Sequence, residues 1–84
     1  MNKKHRKTLD AIFTEPIRCN IAWSDVLTLV KALGGEVMHG DGSRVRFDLN
    51  GVSLNIHSPH PHKELKRYQV KAVRDFLDKA GVER

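Results

Sequence analysis

An 84-residue chain with 39% apolar and 30% charged residues has the composition of one small soluble domain with a single core, which excludes a disordered chain. Fifteen Lys and Arg residues against ten Asp and Glu residues give a net charge of +5, which favours an acidic partner, either a nucleic acid or an acidic protein. A single cysteine excludes an internal disulfide and a cysteine-based zinc site.

Segments that would direct the protein to a membrane or out of the cell are not evident in the sequence. No stretch approaches the roughly 18 apolar residues that a membrane span needs. The N-terminus is basic, but neither a sustained apolar segment nor the cleavage pattern of a signal peptide follows it. We therefore expect a cytoplasmic protein.

Two amphipathic helices are predicted before the first strand. The first covers residues 4–13 and carries its apolar side chains on one face. The second begins at Trp23 or Ser24 and ends at Leu33, with Ser24 or Asp25 at the N-cap or in the first turn. We expect Trp23 to pack in the core rather than to stack on a nucleic-acid base.

Three short strands follow in the order of a meander, at residues 36–39, 44–49 and 52–57. Apolar and polar residues alternate along the second and third strands, which places the apolar set on a buried face and the polar set on an open face. The residues expected on the open face are Arg44, Arg46, Asp48, Ser53, Asn55 and His57.

The residues between the strands predict the register of the sheet. Asn50-Gly51 indicates a two-residue turn, because both positions of that turn need a positive φ, and the turn places Arg44 opposite His57. A two-residue turn at Asp41-Gly42 would place His39 opposite Arg44. His39, Arg44 and His57 would then form one row, with neighbouring Cβ atoms about 4.5–5.5 Å apart. A longer loop would turn His39 away from this row.

A turn rich in histidine and proline, at residues 58–61, leads to a last amphipathic helix. This helix begins between Leu65 and Tyr68 and ends at Ala80, where Gly81 closes it. The order helix, helix, three strands, helix predicts an α+β fold in a single domain over residues 1–84. A basic patch is expected before and within the last helix, at Lys63, Lys66, Arg67 and Lys71.

Four short motifs stand in a specific order along the chain. They are Ala32-Leu33-Gly34 at a helix end, Gly42-Ser43 before a strand that reaches Phe47, His60-Pro61 before Lys63-Glu64-Leu65-Lys66, and Val70-Lys71-Ala72-Val73-Arg74 leading to Ala80-Gly81. Together they resemble the HicA family, the toxin half of bacterial HicBA type II toxin–antitoxin modules. The resemblance covers residues 23–82, so we expect a core at residues 22–82 and an N-terminal helical extension at residues 1–21.

The resemblance implies a fold similar to that of double-stranded RNA-binding domains, with a three-stranded antiparallel sheet packed on helices in the order α-α-β-β-β-α. It also implies a toxin that acts as a ribosome-independent mRNA endoribonuclease, an mRNA interferase, which a HicB-type antitoxin blocks by covering the site. The implied partners are mRNA and a HicB-like antitoxin, and no cofactor is implied. One residue departs from the family pattern, because the catalytic histidine that follows Gly-Ser in the family is Arg44 here.

Metal-independent RNA cleavage needs a base for the ribose 2′-hydroxyl, an acid for the leaving oxygen and cations for the charge on the phosphorane. Histidine suits the first two roles, because its ordinary pKa lies near neutrality. Arginine is protonated at any working pH, so Arg44 can clamp a phosphate but cannot act as the base. We therefore predict His57 and His39 as the catalytic residues.

The predicted RNA-binding residues surround these histidines and lie on the turn that follows. They are Arg44, Arg46, Asn55, His60, Lys63 and Lys66. We expect Arg44 and Arg46 to contact phosphates rather than to form structural ion pairs, although a diagonal pair between Arg46 and Asp48 is open. No metal site is expected at His57, His60 and His62, because the prolines and the spacing argue against three converging ligands.

Three functions remain open from the sequence. The first is an active mRNA endoribonuclease. The second is a non-catalytic RNA-binding module that has lost the family histidine, which the arginine at position 44 favours. The third is a protein that only binds its antitoxin. For each histidine and lysine named above, the alternative is an ordinary solvated surface side chain.

Overall fold

Three helices and one three-stranded sheet make up residues 1–83, the part of the chain that the computed structural model describes. The elements in chain order are α1 (Lys3–Ile12), α2 (Trp23–Ala32), β1 (Glu36–His39), β2 (Arg44–Leu49), β3 (Val52–His57) and α3 (Arg67–Lys79). The sheet is antiparallel, with the strands in the order β1-β2-β3. The predicted α+β fold and the order of its elements are confirmed. None of the helices in residues 1–83 is long and apolar enough to cross a membrane.

The helix α2 begins at Trp23, one of the two predicted starts, but its N-cap residue differs from the prediction. Ala22 occupies the N-cap position and its side chain makes no capping hydrogen bond, while Asp25 lies in the first turn. The Trp23 N–H donates to the Lys63 carbonyl oxygen at 2.8 Å, and the Leu65 N–H donates to the Ile21 carbonyl oxygen at 2.9 Å. A segment from the other end of the chain therefore fixes the start of α2 and makes a side-chain cap unnecessary.

The predicted register between β2 and β3 is confirmed. Asn50 and Gly51 have φ values of 50° and 80°, as the tight turn requires. Arg44 lies opposite His57 and Arg46 lies opposite Asn55.

The predicted register between β1 and β2 is wrong by one residue. The connecting loop contains three residues, 41–43, and the Gly40 N–H donates to the Arg44 carbonyl oxygen at 2.9 Å. His39 therefore lies opposite Val45, and Met38 lies opposite Arg46. A shift of one residue moves a strand's side chains to the other face, so His39 does not join the row of Arg44 and His57.

The helices cover one face of the sheet and leave the other face open. Phe47 is fully buried between two aromatic neighbours, with ring centroids 5.7 Å from Trp23 and 6.0 Å from Phe76. Trp23 is half-buried and packs against the core through Phe47, in agreement with the prediction. On the helix side, α2 contacts β1, α3 contacts β3, and α1 packs mainly against α2 and α3. Leu9 and Ile12 of α1 belong to the same buried core as Phe47.

Candidate nucleic-acid interface

The open face of the sheet carries polar side chains in rows that cross the strands. The row nearest the loop ends consists of Gly40, Arg44 and His57. The next row consists of Met38, Arg46 and Asn55. Together these two rows line most of a shallow cavity of about 580 Å³. The position beside Arg44 that was predicted for His39 is thus occupied by Gly40, whereas His39 borders the same cavity from outside the row.

Arg44 is the free cation of this face. Its side chain is exposed, and within residues 1–83 its guanidinium forms no hydrogen bond and no ion pair. Arg44 and His57 are paired directly across β2 and β3, so their side chains leave the sheet on the same side. An anion bound by Arg44 would therefore lie beside the imidazole of His57.

Two hydrogen bonds hold His57 in place, and a third joins the backbone of Ser43 to that of Ser58 beside it. Its Nδ1 lies 3.0 Å from the Ser43 Oγ. The Ser58 N–H donates to the Ser43 carbonyl oxygen at 2.8 Å. The Gln69 Nε2 donates to the His57 carbonyl oxygen at 2.8 Å. With Nδ1 engaged by Ser43, the second ring nitrogen, Nε2, remains available to a ligand.

Gln69 links this end of β3 to the start of α3. Its side chain is 2% exposed, and its Oε1 accepts the Lys66 N–H at 2.9 Å while its Nε2 donates to His57. Both ends of a buried amide are therefore satisfied, as burial of a polar group requires. The same side chain that caps α3 thus fixes the backbone of His57.

Arg46 forms the ion pair with Asp48 that the sequence left open, so its guanidinium is engaged on the open face. Its Nε donates to the Asp48 Oδ1 at 3.1 Å, and its second terminal nitrogen donates to the Ser53 Oγ at 3.1 Å. The Ser53 hydroxyl in turn donates to Asp48. The hydrogen bond from Ser53, and then the hydrogen bond and charge of Arg46, lower the pKa of the Asp48 carboxyl below its usual value of 3.8.

The predicted residues of the histidine–proline turn lie apart from this cavity. His60 and Lys66 line a separate groove that also includes His62 and Cys19. Lys63 and Lys66 are exposed, and the backbone of this segment is held against the start of α2. Among residues 1–83, no group of three or more His, Cys, Asp or Glu side chains is placed to hold a metal ion.

Two residues around His57 were missed in the sequence, Ser43 and Gln69. No signal in the sequence points to Ser43, because strand alternation would place its side chain on the face opposite to that of His57. Gln69 falls on the buried stripe of α3, four residues before Val73. A polar side chain at a core position is a signal for a specific buried hydrogen bond.

Comparison with known proteins returns one family. A family model described as the HicA toxin of bacterial toxin–antitoxin systems matches residues 23–82. The matched segment runs from the start of α2 to just beyond α3 and contains Ser43, Arg44, His57 and Gln69. No curated protein and no solved structure matches the chain.

Proposed function

The chain belongs to the HicA toxin family, and it is therefore a toxin of a toxin–antitoxin system. We propose that it is a ribosome-independent mRNA endoribonuclease neutralised by a HicB-type antitoxin. The pair of Arg44 and His57 on the open face carries the proposal. An unpaired guanidinium and a fixed imidazole side by side can supply an anion clamp and an acid–base group for phosphodiester cleavage.

In the proposed reaction, Arg44 binds a non-bridging oxygen of the scissile phosphate. The Nε2 of His57 takes the proton from the adjacent 2′-hydroxyl, and the 2′-oxygen attacks phosphorus. The bond from phosphorus to the 5′-oxygen breaks, and the leaving oxygen takes a proton from water. The products are a 2′,3′-cyclic phosphate on one fragment and a 5′-hydroxyl on the other.

Ser43 can hold His57 in the tautomer that this role needs, since its hydroxyl can accept the Nδ1–H. When the Nδ1–H donates to the Ser43 Oγ, the lone pair of Nε2 is free to accept a proton. Once Nε2 is protonated, the same hydrogen bond persists, because Nδ1 is a donor in the imidazolium as well. Ser43 is therefore a positioning residue in both states of the base.

A HicB-type antitoxin would inhibit by covering the open face. That face is exposed across both rows that contain Arg44 and Arg46, and no segment within residues 1–83 lies over it. A partner that buries the Arg44 guanidinium against an acidic group would block the phosphate site directly.

His57→Ala tests the chemistry. We expect expression of the chain without an antitoxin to stop growth and degrade mRNA, and we expect His57→Ala to abolish both. Loss of a general acid–base group lowers the rate about 10²–10⁴-fold, and the exposed side chain can be removed without harm to the fold. His62→Ala is the matched control, because His62 is exposed and does not line the cavity at His57. Full toxicity of His57→Ala would contradict the assignment of the base.

A second function, RNA binding without cleavage, is favoured by the arginine at the position of the family histidine. Incubation of the purified protein with RNA, followed by analysis of the RNA, distinguishes the nuclease from the binding module. Fragments that end in 2′,3′-cyclic phosphate support the nuclease, whereas bound but intact RNA supports the binding module.

A further inference from the structure

The N-terminal segment lies outside the family match and carries most of the excess charge. Residues 1–22 contain five Lys and Arg residues against two Asp and Glu residues, and the remaining residues contain ten against eight. About a quarter of the chain therefore supplies three of the five net positive charges. Neither the cavity at His57 nor the proposed reaction uses any of them.

The helix that carries these charges is fixed to the core. Leu9 and Ile12 are 1% and 0% exposed. The Asn2 Oδ1 accepts the His5 N–H at 2.9 Å and caps the start of α1. At the other end, Arg74 of α3 donates to the Ile12 carbonyl oxygen at 3.0 Å. The exposed side of α1 is thus a rigid surface rather than a loose basic tail.

The cations of this segment lie together and are almost all unpaired. They are Lys3, Lys4, Arg6, Lys7 and Arg18, and they border one groove along α1. Lys4 forms an ion pair with Asp25 at 3.7 Å. Within residues 1–83, the other four form no ion pair. Of the carboxylates, Asp10 alone borders the same groove.

The composition of this surface fits phosphates better than a protein. Protein interfaces have apolar and aromatic residues at their centre and are depleted in lysine. Met1 is the one large apolar side chain exposed on residues 1–22. Phosphate backbones, in contrast, are bound by clustered Lys and Arg side chains without regard to base sequence.

We propose that the exposed face of α1, together with Arg18, is a second RNA-binding surface that holds the phosphate backbone of a part of the substrate away from His57. The identity of the polyanion rests on the proposed function. Because α1 packs on the helices and shares no residue with the cavity at His57, the two surfaces bind different parts of one RNA chain. Long RNA then gains affinity from both surfaces, whereas a short oligonucleotide occupies one surface at a time.

Binding of RNA with 2′-O-methyl riboses tests the surface, since such RNA lacks the attacking hydroxyl and stays intact whether or not the protein is a nuclease. The test variant is Arg6→Gln with Lys7→Gln in the full chain. The control, Lys31→Gln with Lys79→Gln, removes the same charge from exposed lysines near the C-terminal ends of α2 and α3. Fluorescence anisotropy at several salt concentrations gives the affinities for a long and a short single strand.

We expect the test variant to bind long RNA about tenfold more weakly than the control at low salt, and to reduce the log–log salt slope by about 1.4, which is about 0.7 for each of two lost phosphate contacts. Equal binding by the two variants would overturn the proposal. Unchanged RNA binding with loss of antitoxin binding would also overturn it, and would assign the surface to a protein partner. Failure of the nuclease proposal is seen separately, as the absence of cleavage of unmodified RNA by the wild-type chain.

Discussion

The hydrogen bond between Ser43 and His57 distinguishes a positioned base from an ordinary surface histidine. We expect Ser43→Ala to lower RNA cleavage about two- to tenfold, because the net value of such a hydrogen bond is about 0.5–1.5 kcal/mol. RNA binding should change little, since Arg44 remains. Ser43→Thr keeps the hydroxyl and should restore the rate.

Steady-state kinetics separate positioning of the base from a structural role. Because Ser43 contacts the imidazole and not the phosphate clamp, Ser43→Ala should lower kcat and leave KM unchanged. A variant with the wild-type kcat would show that the 3.0 Å contact has no part in the reaction.

The two histidines predicted as catalytic show what the sequence determines at the scale of single residues. The position of His57 opposite Arg44 was predictable. Asn50-Gly51 suits a two-residue turn with two positive φ values, and this turn fixes the register between β2 and β3. The position of His39 was not predictable, because Asp41-Gly42 is compatible both with a two-residue turn and with the observed three-residue loop. One additional loop residue was enough to remove His39 from the row.

At the scale of elements, Phe47 holds the sheet against the helices. It is fully buried and packs between Trp23 of α2 and Phe76 of α3. We expect Phe47→Ala to lower the free energy of unfolding by about 3–5 kcal/mol, a large part of the roughly 5–15 kcal/mol of a typical domain. Urea unfolding measures the change. Leu54→Ala changes a half-buried residue opposite Phe47 and should lower the free energy of unfolding by less. An equal loss in the two variants would contradict the central position of Phe47 in the core.

The polar cluster on β2 and β3 predicts a dependence of stability on pH. Because Ser53 and Arg46 lower the pKa of Asp48 in the folded state, the folded state binds fewer protons than the unfolded state in the acid range. The contribution of Asp48 is therefore complete above its unfolded pKa and is lost as the pH falls through its lower, folded pKa. In Asp48→Asn this component should disappear from urea midpoints measured between pH 5 and pH 2. Parallel pH curves for the two proteins would contradict it.

Element types and strand bounds were predictable from the sequence, whereas the N-cap residue of α2 was not. Alternation of apolar and polar residues is a local pattern, and it identified β2 and β3 to the residue. The cap of α2 depends on hydrogen bonds with Lys63 and Leu65, about forty residues away in the chain. Local capping preferences therefore pointed to Ser24 or Asp25, while tertiary contacts placed Ala22 at the cap.

At the scale of the whole molecule, the N-terminal extension is part of the domain rather than an appendage. Leu9 and Ile12 share one core with Phe47, and Arg74 bonds the end of α1 across 62 residues of sequence. Contacts between residues so distant in sequence leave no local pattern. The sequence therefore indicated an amphipathic helix but not the elements against which it packs. A domain with a single core is expected to unfold in one step.

Leu9→Ala tests whether α1 contributes to the stability of the entire domain. We expect this substitution to lower the free energy of unfolding by about 2–5 kcal/mol, the usual range for a buried leucine. The urea midpoints measured by Trp23 fluorescence and by far-UV circular dichroism should shift by the same amount as each other. Arg6→Gln with Lys7→Gln changes exposed residues of the same helix and should stay within about 0.5 kcal/mol of the wild type. If Leu9→Ala left the fluorescence midpoint unchanged, α1 would unfold independently of the sheet. The basic surface would then be a mobile arm, and its RNA contacts would lose the rigid spacing that the packing of α1 against α2 and α3 provides.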